Sequence, residues 1–447
     1  MISLRSYAGI ATAASLWLLA SALSAQDPLK SAVQTRLAAE YPSLEQIYLH
    51  LHQNPELSLM EVNTSALVAK ELRALGITVT ERVGGYGVVG VLANGPGPVV
   101  MLRADMDGLP VKENSGVPYA STAVVKDVTG KESPAMHACA HDTHITGLIG
   151  TARMLTSVRD RWSGTVVFVA QPAEEIGVGA RAMLMDGLYT RFPRPDSVVA
   201  LHTWSNLPAG SVGYVEGPAY ANVDMIDVIV RGVGGHGSQP QTTKDPVVLA
   251  AQIVVALQTI VSRELAPGTP AVVTVGSIHG GAKHNIISDS VKLELTTRSY
   301  DAKVAAHLVD SIRRIAEHTA RAAGVPDHLL PEVTLATPTV PLTTNDPALT
   351  RRIVGALRGW MGEQNVMLEK PTTGGEDFSQ FGLTTPRVPI SILWVGGADP
   401  VKYTESLQTG EPLPSNHSAT FAPPPEPTIK TAVTALTVSA LELLAKR

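Results

Sequence analysis

Short apolar runs that stop abruptly at charged or polar residues constrain this chain most. Val99-Val100-Met101-Leu102 leads into Arg103-Ala104-Asp105-Met106-Asp107, and Thr165-Val166-Val167-Phe168-Val169 into Gln171-Pro172-Ala173-Glu174-Glu175. Ser197-Val198-Val199-Ala200-Leu201 ends at His202. Runs this short and this rich in β-branched residues read as strands buried on both faces. Together with Val88-Val89-Gly90-Val91-Leu92 they alternate with the helical stretches 143–157 and 179–187. Such alternation predicts an α/β class with a mixed, largely parallel sheet. Open sheets of that class place their sites outside the carboxyl ends of the strands, so the polar clusters should converge in one crevice.

The flanking text fills in the organisation. From about 30 to 75 the pattern is helical, with Ser43 placed to cap a segment through Ile47 and Leu51, and with a second helix over 58–75 ending at Gly76. After Gly217-Pro218 the pattern changes: strand 223–230, helix 245–263, strands 271–277 and 290–299, helix 302–323 and strand 332–336. This βαββαβ order predicts a ferredoxin-like unit. Helix 345–360, strand 389–395 and a closing helix 428–445 then return to the first pattern. A chain of 447 residues exceeds the usual size of one core. The expected division is a discontinuous catalytic domain, 27–217 with 339–447, carrying an inserted domain at 218–338.

A hydrophobic content of 44% with 17% charged residues is that of an ordinary globular protein. A net charge of -5 argues against nucleic acid as a partner, because phosphate binding wants a basic face. At the N-terminus one charge, Arg5, precedes an apolar stretch to Leu23 and then small residues. That is the pattern of a signal peptide over 1–25, with cleavage after Ala22 or Ala25. The stretch falls short of the ~20 strongly apolar residues that a membrane span needs. The expectation is an exported protein, periplasmic or secreted, with no membrane attachment after cleavage.

The chemistry concentrates in His137-Ala138-Cys139-Ala140-His141-Asp142-Thr143-His144, which holds the chain's only cysteine. A lone cysteine cannot form an intramolecular disulfide, and in an oxidising compartment a metal would protect it. Cys139 and His141 from this loop, Glu175 and His202 from two others, and His417 near the C-terminus could bind two divalent ions if one ligand bridges and water completes the shells. Glu174, beside one of these donors, is then free to act as general base. Taken singly, each residue has a plainer reading: a buried cysteine is usually a small hydrophobe, and paired glutamates usually form a solvated face. Their common position at strand ends and in loops is what favours a metal centre. A thiolate ligand favours zinc over magnesium, with manganese, cobalt and nickel as alternatives.

Leu51-His52-Gln53-Asn54-Pro55-Glu56-Leu57-Ser58, Arg103 through Pro110, the block 137–144, Gln171 through Glu175 and Gly374-Gly375-Glu376-Asp377-Phe378-Ser379 follow one another in order. Together they resemble the amidohydrolase branch of the aminoacylase/carboxypeptidase metallopeptidase clan, over nearly all the chain after the signal peptide. The resemblance implies a metal-dependent hydrolase of N-acyl amino acids with Cys139, His141, Glu175, His202 and His417 as ligands and Glu174 as base. It also implies that the inserted domain is a lid and homodimer interface, and that His236 of Gly234-Gly235-His236-Gly237 reaches the substrate, often in a neighbouring subunit's site. Asn285 and Arg298 resemble positions that meet the substrate's carboxylate or carbonyl oxygen, a task that suits a guanidinium fork. Asp107 reads as support behind a ligand, and His137 and His144 as supporting or packing residues. Two departures bear on the preferred metal and substrate range: Ala140 stands where the family usually has glycine, and Ser288 where proline is common. The competing readings are a dipeptidase or carboxypeptidase with the same site, and a non-catalytic binding protein, which would have no need of Glu174.

Overall fold

The computed structural model describes residues 28–446. The signal-peptide reading of 1–25 lies outside the described residues.

An eight-stranded sheet runs in the order Thr78–Val83, Gly87–Asn94, Gly164–Gln171, Val99–Asp105, Ser197–Pro208, Ile390–Ala398, Val212–Tyr214 and Val366–Leu368. The strands Gly164–Gln171, Val99–Asp105, Ser197–Pro208 and Ile390–Ala398 are mutually parallel, while Gly87–Asn94 joins them antiparallel. The sheet is therefore mixed and largely parallel. Nearly every residue of Val99–Asp105 and all of Ile390–Ala398 are buried, as strands covered on both faces must be.

Helices Pro28–Gln53, His141–Ser157 and Pro425–Leu443 cover one face around Leu44, Leu148, Ile149, Val433 and Leu436. They approach closely at Gly150, where an added Cβ would collide with a methyl of Val433. Glycine here lets the helix that begins at His141 sit hard against its neighbour. The other face packs on Met183, Leu188, Phe378 and Phe381.

The first helix departs from expectation. Ser43 does not begin a helix; it lies inside Pro28–Gln53, which runs on through Pro42. Val33, Leu37, Tyr41, Leu44, Tyr48 and Leu51 keep one apolar stripe buried across the proline. The burial of that stripe outweighs the single backbone hydrogen bond that proline removes.

A separate four-stranded sheet, in the order Ala271–Gly280, Ser290–Ser299, Asn222–Arg231 and Glu332–Val340, is antiparallel throughout. Helices Pro246–Thr259 and Ala302–Ala322 lie against one face and close a second core around Ile226, Ile253, Leu257, Leu293 and Ile312. Their N-caps, Asp245 and Asp301, each accept backbone N–H bonds from the first turn. In chain order the elements run βαββαβ.

Candidate metal centre and cleft

The carboxyl ends of the parallel strands open into a cleft of roughly 410 Å³, lined by Cys139, Glu174, Glu175, His202, Arg298, Glu376 and His417 among others. A larger cavity of about 900 Å³ opens at the strands' amino ends. Its charged residues are already engaged: Asp196 accepts from Val99 N, Asp346 caps a helix, and Arg352 pairs with Glu442. The chemistry therefore belongs to the smaller cleft.

The local backbone explains how distant residues meet there. Cys139 and His141 flank Ala140, which takes a left-handed conformation (φ 64°, ψ 34°) and starts the helix His141–Ser157. The backbone N–H of His417 donates to the carbonyl of Ala138, which ties the C-terminal loop to the cysteine loop. At Glu174 and Glu175 the backbone N–H groups both donate to Asp107, at 3.1 and 3.0 Å, and Ala173 N donates to the buried Glu61. Asp142 pairs with His52 at 2.7 Å and Ser58 donates to Asp107, so the Leu51–Ser58 segment braces the site from behind.

The expected donors converge. His417 Nε2 lies 3.2 Å and His202 Nε2 3.4 Å from Cys139 Sγ, and His417 Nε2 is 3.5 Å from Glu175. His141 Nε2 is 3.7 Å from Glu175 and 3.9 Å from Glu174. His202 presents Nε2 to the cluster because its Nδ1 faces the Thr203 carbonyl at 2.8 Å, and Asp107 stands 3.5 Å from His141 Nδ1. This is the orientation by an outer acceptor that metal-binding imidazoles commonly have. The donor atoms of Cys139, His141 and His202 lie within 4.8 Å of one another, as do those of Cys139, Glu175 and His417.

The electrostatics ask for cations. Burial, then Glu175 and Glu174, push the Cys139 thiol well above its ordinary range. Burial, then Glu376 and Glu175, push Glu174 up, and burial also raises Glu175, to about 8. Nε2 of His141 and Oε1 of Glu175 are buried without a hydrogen-bond partner. Buried polar atoms left in this state are costly unless something completes them. A thiolate, imidazoles and a carboxylate with spare lone pairs fit divalent ions of the zinc type.

His144 belongs to the scaffold. Its Nε2 accepts the Thr203 N–H at 2.7 Å, which leaves the Nδ1 proton to face Asp105, so no lone pair remains for a metal. His137 is buried and has no hydrogen-bond partner on either ring nitrogen. Arg298 reaches the cleft from the small sheet, its Nη1 donating to the Thr373 carbonyl at 2.6 Å. His236 and Asn285 lie elsewhere. They sit together on an exposed ribbon, where Gly237 N donates to the Asn285 carbonyl, and neither lines this cleft.

Sequence reasoning gave no role to a buried charge network beneath the cleft. Arg103 donates from Nε to Gln171 at 2.9 Å, from Nη1 to Asp105 at 2.6 Å and from Nη2 to Glu376 at 2.8 Å. Asp377 accepts from Gln171 Nε2 and from Ala180 N. The signal was present, since these charges lie within segments already singled out. A charge that follows a strand, however, looks the same in a sequence whether it faces water or the core.

Comparison with known proteins agrees with this geometry. The model of peptidase family M20/M25/M40 matches residues 101–407. The chain is 39% identical to thermostable carboxypeptidase 2 of Saccharolobus solfataricus, over 75% of this chain and 82% of that protein. It is 36% identical to the N-acetyl-L-cysteine deacetylase of Bacillus subtilis, over 78% of each. An IAA-amino acid hydrolase of Arabidopsis thaliana is 34% identical, over 80% of this chain and 79% of that one. Among solved structures, a dinuclear metal-binding peptidase of the M20 family from Bacillus subtilis superposes with a TM-score of 0.73 at 27% identity, covering 91% of this chain and 99% of its own.

Proposed function

The chain belongs to peptidase family M20/M25/M40, whose members are metal-dependent hydrolases, and from that premise we propose that it cleaves the amide bond of N-acyl amino acids. The observation that carries the reading is Glu174. It is buried beside the donor cluster, 3.9 Å from His141 Nε2, on the wall of a cleft that apolar side chains also line. Cys139, His141, Glu175, His202 and His417 would hold two divalent ions of zinc, manganese, cobalt or nickel. When bound, such ions supply Lewis acidity that activates water and polarises a carbonyl.

The protein's own groups do the rest. Glu174, raised by burial and by its acidic neighbours, takes the proton of the attacking water and returns it to the leaving amine. Arg298 offers its guanidinium to the free carboxylate of the substrate. Ile176, Trp204, Val223, Met225 and Val340 supply an apolar wall suited to an acyl group. Glu174→Gln should lower kcat by about 10²–10⁴-fold with metal content unchanged, as measured by steady-state kinetics and elemental analysis. Retained turnover would exclude Glu174 as the base.

A carboxypeptidase reading has its own support in the 39% identity to a thermostable carboxypeptidase. A panel of N-acetyl and N-benzoyl amino acids against unblocked dipeptides separates the two, and preference for the blocked compounds is expected.

The βαββαβ segment serves in this proposal as an inserted lid and homodimer interface, within the division at 218 and 338. Val247, Val248 and Val255 expose 49%, 55% and 71% of their surface along one helix of that segment. The nearby ribbon with His236 and Asn285 is free to reach a second copy's cleft. A dimer is expected by sedimentation, and Val255→Glu should shift it toward monomer with loss of activity. A monomeric wild type that is fully active would overturn this.

A further inference from the structure

Glu376 is a cleft-lining acid that the reaction as described leaves without a task. It is 1% exposed, and its two oxygens differ. Oε1 accepts from Arg103 Nη2 at 2.8 Å and from Phe378 N at 3.0 Å, which fixes the side chain. Oε2 is buried, has no hydrogen-bond partner, and belongs to a residue that lines the cleft. Its neighbour Asp377 is not in the same condition, because both of its oxygens are used by Gln171, Arg103 and Ala180. Of the acids that line the cleft with Glu376, Glu174 has a carboxylate oxygen within 4.8 Å of one of its own.

An unpaired buried acceptor is a cost unless a ligand brings a donor. The donor must come from a substrate that also meets Glu174. In amide hydrolysis the C–N bond breaks and the nitrogen receives its proton from Glu174, so that nitrogen passes about 3 Å from a Glu174 oxygen. One oxygen of Glu174 and one of Glu376 lie within 4.8 Å of each other, so an atom between the two carboxylates can lie about 3 Å from both acids. We infer that Glu376 Oε2 accepts a hydrogen bond from the N–H of the scissile amide, and so selects secondary amides and turns the nitrogen lone pair toward Glu174. This rests on the N-acyl amino acid reading and adds a catalytic residue to it.

The test is a matched pair of substrates: the best N-acyl amino acid of the panel and its ester counterpart, in which oxygen replaces the N–H. Glu376→Gln is the informative variant. Arg103 and Phe378 both donate to the position of Oε1, so they select the amide carbonyl there and leave an NH₂ group, which cannot accept, in place of Oε2. The expected result is a fall of about 30-fold in kcat/KM for the amide and of less than about threefold for the ester, at unchanged metal content. Equal losses on both would overturn the proposal, since a merely structural role does not distinguish N–H from O. If the variant does not fold, the wild type decides. It should discriminate strongly against the N-methyl amide of the same acid, and cleavage of that tertiary amide at the rate of the secondary one overturns the proposal. If the wild type cleaves no N-acyl amino acid at all, the parent reading fails and this one falls with it, a result distinct from equal losses on amide and ester.

Discussion

Ala140 carries a methyl where the backbone would accept none without strain. Its φ of 64° lies in the left-handed region, which costs a residue with a Cβ roughly 1–2 kcal/mol. Yet it is fully buried between two proposed ligands, and its methyl packs there. Glycine would relieve the strain but lose the methyl's burial and loosen the unfolded chain, effects that nearly cancel. Ala140→Gly is therefore expected to change stability by no more than about 1 kcal/mol. Ala140→Val, β-branched in the same conformation and without room, should cost at least about 2 kcal/mol and lower metal occupancy. Urea unfolding and elemental analysis of both variants check this; a Val variant as stable as wild type would remove the left-handed requirement. Ala173 and His417 share the positive φ, so three turns that aim site residues are each held in a conformation their side chains disfavour. Strain gathered in this way is expected where geometry, rather than stability, is under demand.

At the scale of elements, the turn after Gly164–Gln171 and the helix that begins at His141 are joined through one side chain. Asp107 receives the N–H groups of Glu174 and Glu175 and faces His141 Nδ1, so a single carboxylate positions the proposed base and two proposed ligands. Asp107→Asn keeps the volume but removes the charge and turns one acceptor into a donor. It should weaken metal binding by about 10–100-fold in a chelator competition, with little loss of secondary structure by circular dichroism. Unchanged affinity would mean that the strands alone aim the ligands. Much of this was readable beforehand. The strand that ends at Asp105 and the helix from His141 announce themselves through β-branched runs and polar ends, whereas Asp245 and Asp301 emerge as helix caps only from the backbone N–H bonds they accept. Val212–Tyr214 and Val366–Leu368 were not legible, because three residues show no period. Nor was the role of Arg103, since beside the local Asp105 its other acidic partners, Glu376 and Asp377, stand 273 and 274 residues away.

Across the whole molecule, one cleft depends on two sheets: the donors sit on a strand of the large one and on the loops and helix start around its carboxyl edge, while Arg298, Val223 and Met225 come from the small one. At the carboxyl edge of the large sheet, turns and loops gather a cluster of acids and a thiol that lacks enough positive charge, which makes stability depend on what occupies it. Without metal, Glu175 has a folded-state pKa of about 8 against an ordinary 4.5, because burial disfavours its charge, and His141 is held at about 10, where burial's downward pull is outweighed by Asp105 and its acidic neighbours. In both cases the folded state binds protons that the unfolded state releases, so stability falls as pH rises, from 4.5 to about 8 for Glu175 and from 6.5 to about 10 for His141. Metal reverses the sign. The ligands must be deprotonated to bind it, so affinity rises with pH, and an ion present at about a thousand times its Kd adds about 4 kcal/mol. Chelation should therefore lower Tm by roughly 5 °C near neutral pH, and the gap between loaded and stripped protein should widen from about pH 6 to about pH 8. Calorimetry of both forms across that range is the measurement. Parallel pH profiles would mean that no cation sits among these acids, because only a cation that competes with protons makes the two slopes diverge.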